Sequence, residues 1–140
     1  MTEMIAAQIP LALAGAADKE WVETDPGMAW SKMLWMDLET GSWASMLRWT
    51  KGYTAPPHIH LHDAHFLMLS GRIAVRDTEY GPGDYGYEPK GAIHDSTTTL
   101  EDCVYFIVNN GPIQIMANEA TGRPAYEVSS RDMVGRQPAP

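Results

Sequence analysis

Short apolar and β-branched runs separated by turn signals recur along most of this chain, and they limit the possible folds more than any other feature of the sequence. About eight such runs follow one another at intervals of roughly ten residues, which is typical of a β-sandwich or β-barrel. No stretch of about 12 residues or more shows convincing helical amphipathicity, and only residues 129–134 suggest a short helix. The pattern therefore predicts an all-β fold.

The turn signals place the individual strands. A hairpin is expected from residues 33–37 and 42–49, joined by a tight loop at 39–41. Further turns are expected at Gly71, at 80–83, at Glu101-Asp102 and at 109–111. The other expected strands span residues 66–69, 72–76, 84–88, 103–108 and 113–116, the last pairing back on the strand before it. Side chains at alternating positions are expected to line the barrel: Phe66, Met68, Met46, Ile93, Val104, Phe106 and Ile113.

The length of 140 residues suits one domain with its own core. We expect a barrel domain over residues 21–126, an N-terminal extension over residues 1–20 and a C-terminal tail over residues 127–140. The extension is apolar, but its first residues carry Glu3 and no Lys or Arg, and Pro10 interrupts it, which argues against a secretory signal. No run approaches the roughly 20 apolar residues that span a bilayer. We therefore expect a cytoplasmic protein without membrane contact.

Composition narrows the partners and the redox state of the chain. A formal net charge of -8 argues against a nucleic-acid partner, because such binding relies on clustered Lys and Arg. Cys103 is the one cysteine and lies in an apolar run, which predicts a reduced, buried thiol and no disulfide framework. Five tryptophans are expected to pack in the core or to cover a barrel mouth or a subunit interface: Trp21, Trp30, Trp35, Trp43 and Trp49.

Four of the five histidines fall within the segment from Pro56 to Gly71. His58 and His60 are two residues apart, and on an extended strand this spacing projects both imidazoles from one face, so that they can converge on one ion. A metal site needs a third ligand brought in by the fold, and His94, which follows a Pro-x-Gly turn, is the candidate. The sequence predicts a metal site formed by these three histidines.

The segment from Gly83 to His94 resembles the second cupin motif, in which a Gly is followed after five residues by Pro-x-Gly and then, two residues later, by a metal-binding His. The pair His58 and His60, followed by Gly71, is similar to the first cupin motif. Together the two motifs cover about the central third of the chain. Cupins are small jelly-roll barrels, so the resemblance implies a single-domain jelly roll, in agreement with the strand count.

Two places depart from the usual cupin motifs. The first motif usually supplies a Glu ligand shortly after His-x-His, where this chain has Asp63, Ala64 and His65. The Asn that usually trails the second motif is replaced by Thr98. His65 would be a fourth ligand if a bulge turned it inward, and otherwise it faces the opposite side of the sheet or hydrogen-bonds near the site. His62 is open between a ligand and a solvent-facing loop residue.

Within the cupins, the motifs resemble the acetylacetone dioxygenases, which cleave β-diketones at a three-histidine iron site, and the related dihydroxyacetophenone dioxygenases. The resemblance implies a mononuclear non-haem Fe(II) dioxygenase that uses O2 to cleave a carbon–carbon bond of a small β-diketone or hydroxyketone. The implied iron ligands are His58, His60 and His94. The polar residues around the iron of those enzymes, with an implied catalytic role, correspond to Arg76, Glu88 and Thr97.

Three neutral imidazoles leave a divalent ion with its full charge, so the site would attract an anionic chelate such as the enolate of a 1,3-diketone. Fe(II) follows from the resemblance, whereas Zn(II) or Ni(II) suits imidazole ligands equally. Glu88 is open between orienting a ligand, accepting a substrate proton and capping its strand. Arg76 is expected either to pair with Glu88 across adjacent strands or to be an exposed charge.

Other function classes stay open at this point. One is a metal-binding cupin without oxygenase activity, either a small-molecule sensor like the cupin half of the ChrR-type anti-sigma factors or a module that holds Zn or Ni. Residues 1–20 contain neither His nor Cys, which counts against a zinc-binding, sigma-interacting segment there. Another is a cupin isomerase or decarboxylase. In each case we expect a homo-oligomer, a dimer or a tetramer.

Overall fold

Antiparallel strands form almost all of the regular structure of this protein. The structure is a computed structural model that describes residues 20–133, so most of the expected N-terminal extension and the end of the expected C-terminal tail lie outside the described residues. The strands are β1 Val22–Asp25, β2 Ala29–Asp37, β3 Ser42–Trp49, β4 His58–His60, β5 Ala64–Val75, β6 Thr78–Tyr80, β7 Tyr85–Glu88, β8 Ile93–His94, β9 Thr97–Asn109, β10 Ile113–Ile115 and β11 Tyr126–Val128; the short helix α1 is Ser130–Met133.

The strands form two sheets, as the all-β prediction required. The larger sheet has the order β1-β2-β3-β9-β5-β6, and β7 also pairs with β5. The smaller sheet has the order β11-β10-β4-β8. This is a single-domain jelly roll, and the predicted fold class is confirmed. The strand β4, which carries His58 and His60, and the strand β8, which carries His94, are neighbours in the smaller sheet.

The hairpin of β2 and β3 agrees with the prediction and anchors the end of the described chain. Its turn is closed by Asp37, whose carboxylate accepts a hydrogen bond of 2.9 Å from the backbone N–H of Glu39. The fully buried Ser130 donates its hydroxyl to the Asp37 carbonyl at 2.7 Å. The short helix predicted over residues 129–134 is therefore present in the described part of that range, and it packs on the hairpin turn. The domain boundaries at residues 20 and 126 stay predictions.

The predicted turn at Gly71 is wrong, because β5 runs without interruption from Ala64 to Val75. Gly71 lies where the register of β5 against β9 shifts, and its φ of 74° marks a bulge rather than a chain reversal. A Cβ at this position would lie 2.1 Å from the backbone oxygen of Asp102. Gly71 is thus required by the close approach of two strands.

Two further strand predictions are corrected by β9 and β10. The turn expected at Glu101-Asp102 is absent, since both residues lie inside the continuous strand β9. The strand Ile113–Ile115 does not pair back on β9; it pairs with β4 and β11. Because β10 belongs to the smaller sheet and pairs with β4, it brings His58 and His60 under the larger sheet.

The inward face of the sheet also differs in part from the prediction. Phe66 and Met68 are buried, as expected. In β9, however, the inward side chains are Cys103, Tyr105 and Ile107. Since strand side chains alternate, the neighbouring side chains of the same strands point outward. Three residues that the sequence predicted to point inward lie on this outer face instead: Val104, Phe106 and Met46. Ile93, also predicted to line the barrel, is 49% exposed.

Candidate metal centre

Cross-strand pairing brings the three predicted histidines together. His58 and His60 lie on β4, and His94 on β8 is the direct antiparallel partner of His58. Directly opposite residues in such a pair project from the same face, so His94 joins the two imidazoles of β4. The nitrogen atoms that the three residues offer to a metal lie within 4.8 Å of one another. The predicted clustering of His58, His60 and His94 is confirmed.

The three rings form a nearly regular triangle. The ring centroids are separated by 5.0 Å for His58 and His60, 5.1 Å for His58 and His94, and 5.0 Å for His60 and His94. With their ligand nitrogens within 4.8 Å of one another, the three rings are close enough to share one ion. Neutral imidazole nitrogen is a donor that Fe, Zn, Ni and Cu all accept, so the donor set fits a divalent transition metal without selecting one.

The tautomer of His58 is fixed by its neighbour in the chain. Its Nδ1 lies 2.8 Å from the carbonyl oxygen of Pro56. A carbonyl can only accept, so Nδ1 must donate its hydrogen, and the lone pair of Nε2 is left free for a metal. The two prolines before His58 stiffen this segment and hold the carbonyl in place.

Burial keeps the imidazoles of His58 and His94 neutral. The pKa of His58 falls to about 4, mainly because burial penalises the charged form. The pKa of His94 is also lowered, again chiefly by burial. His60 is only 2% exposed. At neutral pH His58 and His94 therefore present lone pairs rather than protons to an incoming ion.

The buried carboxylate of Glu88 faces two of the three imidazoles. Its Oε2 lies 2.7 Å from Nε2 of His60, and its Oε1 lies 3.4 Å from Nε2 of His94. Burial alone would raise the pKa of Glu88, but the surrounding imidazoles hold the pKa of this carboxyl below its usual range. Despite the short distance, Nε2 of His60 and Oε2 of Glu88 have no hydrogen-bond partner. These unpaired buried atoms fit a site that holds a cation between them.

Two cavities meet at the histidines. The larger has a volume of about 210 Å³ and is lined by His58, His60 and mostly apolar side chains, including Trp43, Leu47 and Ile107. The smaller, of about 40 Å³, adjoins His58, His94, Glu88 and Thr97. The predicted site residue Thr97 is buried there, and its hydroxyl has no hydrogen-bond partner.

A family model described as the ChrR cupin-like domain matches residues 11–114, more than half of the chain. The chain belongs to this cupin family. The resemblance expected from the two histidine motifs is thereby confirmed.

One relative of this cupin is named for cleaving acetylacetone. The acetylacetone-cleaving enzyme of Acinetobacter johnsonii is 27% identical over 100 residues, an alignment that covers 66% of this chain and 64% of that enzyme. This cupin thus spans less than two thirds of the length of that relative.

Solved structures share the fold over most of the chain. An acetylacetone dioxygenase from Acinetobacter johnsonii has a TM-score of 0.78 at 18% identity and is covered to 91%, as is this chain. An RmlC-like cupin protein from Ralstonia eutropha JMP134 has a TM-score of 0.80 at 17% identity, covering 93% of this chain and 86% of that one. At these identities the likeness concerns the fold alone.

The two other candidate histidines of this cupin do not join the cluster. His65 lies on the outer face of β5, where its ring packs between Tyr85 and Tyr87 with centroid distances of 5.8 Å and 4.9 Å. The Tyr85 hydroxyl contacts its Nδ1. His62 lies in the bend after β4 and packs against Gly111, where a Cβ would meet its ring at 2.2 Å. Of the two alternatives for His65, the structure shows the opposite side of the sheet.

Arg76 is placed at the surface rather than beside Glu88. Its Nε donates to Oδ1 of Asp95 at 2.8 Å, and its side chain is 55% exposed. Of the two alternatives for Arg76, the structure shows the exposed charge. A pair with Glu88 does not form, because Glu88 points inward from β7 toward His60 and His94.

Sequence reasoning missed one polar residue of the larger cavity. Asn109 is 4% exposed, lines that cavity and has an unpaired side-chain oxygen. Its position in Asn109-Asn110-Gly111 suggested a turn, yet β9 extends through it. The signal that was available is its even spacing from Cys103, Tyr105 and Ile107, the inward side chains of the same strand.

Proposed function

We propose that this cupin is a mononuclear non-haem Fe(II) dioxygenase that cleaves a carbon–carbon bond of a small β-diketone or related hydroxyketone. The observation that carries the proposal is the triangle of His58, His60 and His94, of which His58 and His60 line a mostly apolar cavity of about 210 Å³. The similarity to an acetylacetone-cleaving enzyme supports the reaction class.

The three histidines hold the metal as neutral donors. Because His58 and His94 carry lowered pKa values, they bind an ion near neutral pH without first losing a proton. Bound Fe(II) supplies a positive centre that stabilises an enolate and the redox chemistry needed to use O2. The apolar walls around the triangle exclude water and favour an uncharged ketone over a sugar or a phosphate.

Glu88 is the residue placed to take the substrate proton. A 1,3-diketone loses one proton when it binds as its enolate, and that proton needs an acceptor inside the site. Glu88 is buried, its lowered pKa keeps it ionised at neutral pH, and it lies beside His60 and His94. In the balanced reaction each oxygen atom of O2 enters one of the two carbonyl fragments left by cleavage.

Polar groups near the cavity suit a ligand with a hydrogen-bond donor. The side-chain oxygen of Asn109 is an unpaired acceptor on the wall of the larger cavity, and the hydroxyl of Thr97 is unpaired in the smaller one. A buried polar group without a partner gains by binding a ligand that pairs with it. The hydroxyl of a hydroxyketone would satisfy such a group, whereas a plain hydrocarbon would not.

The test is oxygen consumption by anaerobically Fe(II)-loaded protein against a panel of 1,3-diketones and α-hydroxyketones. We expect uptake that depends on iron and on one substrate class, with the Zn(II)-loaded protein inactive as the control. No uptake by protein that demonstrably holds iron, over the whole panel, would contradict the dioxygenase.

A second candidate is a metal-binding cupin that senses a small molecule without reacting with oxygen. The match to the ChrR cupin-like domain favours it. In this case the metal-loaded protein would bind a panel member, seen as quenching of Trp43 or Trp49 beside the cavity, while oxygen concentration stayed constant.

A further inference from the structure

We propose that Glu88 is a fourth protein ligand of the metal, so that the centre consists of three histidines and one carboxylate supplied by β7. This inference rests on the proposed metal site and adds to it. The carboxylate is buried, and its two oxygens lie 2.7 Å and 3.4 Å from the Nε2 atoms of His60 and His94.

A well-aligned hydrogen bond does not account for the contact with His60. The nitrogen and the oxygen are 2.7 Å apart, yet neither atom has a partner that meets the distance and angle of a good hydrogen bond. If Nε2 of His60 binds a metal it carries no hydrogen at all, and a carboxylate held against its lone pair would be repelled. A cation between the two atoms turns this repulsion into attraction.

The distances suit two ligands of one ion. Metal bonds to imidazole nitrogen and carboxylate oxygen are about 2.0 to 2.2 Å long, so ligands at right angles on one ion lie about 3 Å apart. The separations of 2.7 Å and 3.4 Å from Glu88 to the two imidazoles bracket this value.

Glu88 has no other charged partner among residues 20–133. Arg76, the residue expected to neutralise it, is engaged by Asp95 at the surface. Within that range, the ion-pair contacts of Glu88 are with the imidazoles of His60 and His94 alone. A buried carboxylate that lacks a cation is unfavourable, and a bound metal ion removes that penalty.

The pairing of β5 and β7 explains why the carboxylate comes from Glu88. Its direct cross-strand partner is Ala64, one of the three residues at the place where the first cupin motif usually has its Glu. Opposite residues of an antiparallel pair share a face, and Ala64 is fully buried. The small side chain of Ala64 leaves room for Glu88 to reach the same centre from the neighbouring strand.

This ligand set changes what the site offers to a substrate. One carboxylate reduces the charge of a divalent centre from two to one, and four protein ligands leave two of the six positions of an octahedral ion. Two free positions would suit the two oxygens of a chelating ketone. If Glu88 binds through a single oxygen, its second oxygen stays free to accept the substrate proton.

The test uses Zn(II), which has no redox chemistry of its own. A crystal structure of the Zn(II)-loaded full chain should show a bond of about 2.1 Å from a Glu88 oxygen to zinc. In chelator competition, Glu88→Gln should weaken zinc binding by at least about 100-fold, because losing a residue that only orients a ligand costs about 10- to 100-fold. Glu79→Gln, which removes the same charge from an exposed pair with Arg72, should leave it unchanged within about twofold.

A zinc ion held by the three histidines, with both Glu88 oxygens more than about 3 Å away, would overturn the inference while leaving the metal site intact. A wild-type protein that binds no zinc at these histidines would overturn the metal site, and the inference with it. The crystal structure decides between these outcomes even if Glu88→Gln folds poorly.

Discussion

Burial of a histidine side chain affects both its metal binding and its protonation. A neutral buried histidine is ready to bind an ion, but it resists protonation in the folded state while the unfolded chain takes up a proton at its ordinary pKa of 6.5. The metal-free protein should therefore carry a stability cost at acid pH that originates in its own site.

We expect the free energy of unfolding of the metal-free protein to fall as pH is lowered from about 6.5 to about 4.5. Burial lowers the pKa of His58 to about 4, so in this window the unfolded state binds a proton that the folded state does not. The loss from His58 is about 2 to 3 kcal/mol, measured by urea unfolding in the presence of a chelator. His94 shifts in the same direction, whereas the protonation of Glu88 acts below this window.

His58→Gln is the matched variant for this measurement. It should be less sensitive to pH between 4.5 and 6.5 than the wild type, since a glutamine does not titrate. An unchanged slope in the variant would mean that His58 is not protonated on unfolding in this range.

His94→Ala should weaken metal binding by at least about 100-fold, because losing a ligand costs more than losing a residue that only orients one. His65→Ala is the control, since His65 lies between two tyrosines on the outer face. Metal content after gel filtration and chelator competition report the difference. Equal retention by the two variants would show that the ligand set is wrong.

The motif spacing predicted the cluster of three histidines because its geometry is local. Two residues on one strand share a face by backbone geometry alone, and the turn before His94 fixes where the third ligand enters. The position of Glu88 opposite Ala64 could not be obtained in this way, because it depends on how β5 and β7 align in register. The alternatives for Glu88 and His65 stayed open for the same reason.

At the scale of the strands, prediction failed where both faces are apolar. In the run from Cys103 to Val108 every side chain is apolar or aromatic, so alternation does not show which face points inward. The register with β3 and β5 decides it, and it places Cys103 inward and Val104 outward. Likewise, a glycine at position 71 predicts a turn from the sequence alone. In the structure, the pairing of β5 with β9 continues past it and makes it a bulge within a strand.

The bulge at Gly71 should be among the least tolerant positions of the fold. Gly71→Ala adds both an unfavourable φ of 74° and a Cβ at 2.1 Å from the Asp102 oxygen, which is backbone and cannot move away cheaply. We expect a loss of at least about 3 kcal/mol in the free energy of unfolding, measured by urea titration.

Gly83→Ala separates the two causes. Gly83 has a similar φ of 85°, but a Cβ there meets nothing within 4 Å. It should therefore lose only about 1 to 2 kcal/mol, the cost of the backbone conformation. Equal losses in the two variants would show that contact with β9 does not determine the stability of the bulge.

For the whole molecule, the outer face of the larger sheet is more apolar than an exposed surface requires. Large side chains on or beside this face are partly exposed: Trp35 48%, Leu67 38%, Leu69 46%, Tyr85 58% and Tyr87 53%. Half-buried Met46 and Phe106 lie opposite each other between them. A contiguous apolar patch of this kind is typical of an interaction site. Within residues 20–133 no helix is long and apolar enough to cross a membrane.

We expect this face to pair with a second copy of the chain, giving a dimer or a larger assembly with a mass at least twice the chain mass of 15.5 kDa. Leu67→Glu places a charge in the middle of the face, where Leu67 pairs with Phe106 and Tyr85, and should shift the protein toward the monomer. Leu38→Glu changes a leucine that is 49% exposed in the loop after β2, compared with 38% for Leu67, and should not alter the assembly. Size exclusion with light scattering measures the masses.

A monomeric wild type would contradict the pairing, and loss of assembly in Leu38→Glu alone would move the interface to the hairpin. If Leu67→Glu becomes monomeric yet keeps its metal, the metal centre is complete within one chain, as the positions of His58, His60 and His94 on adjacent strands indicate.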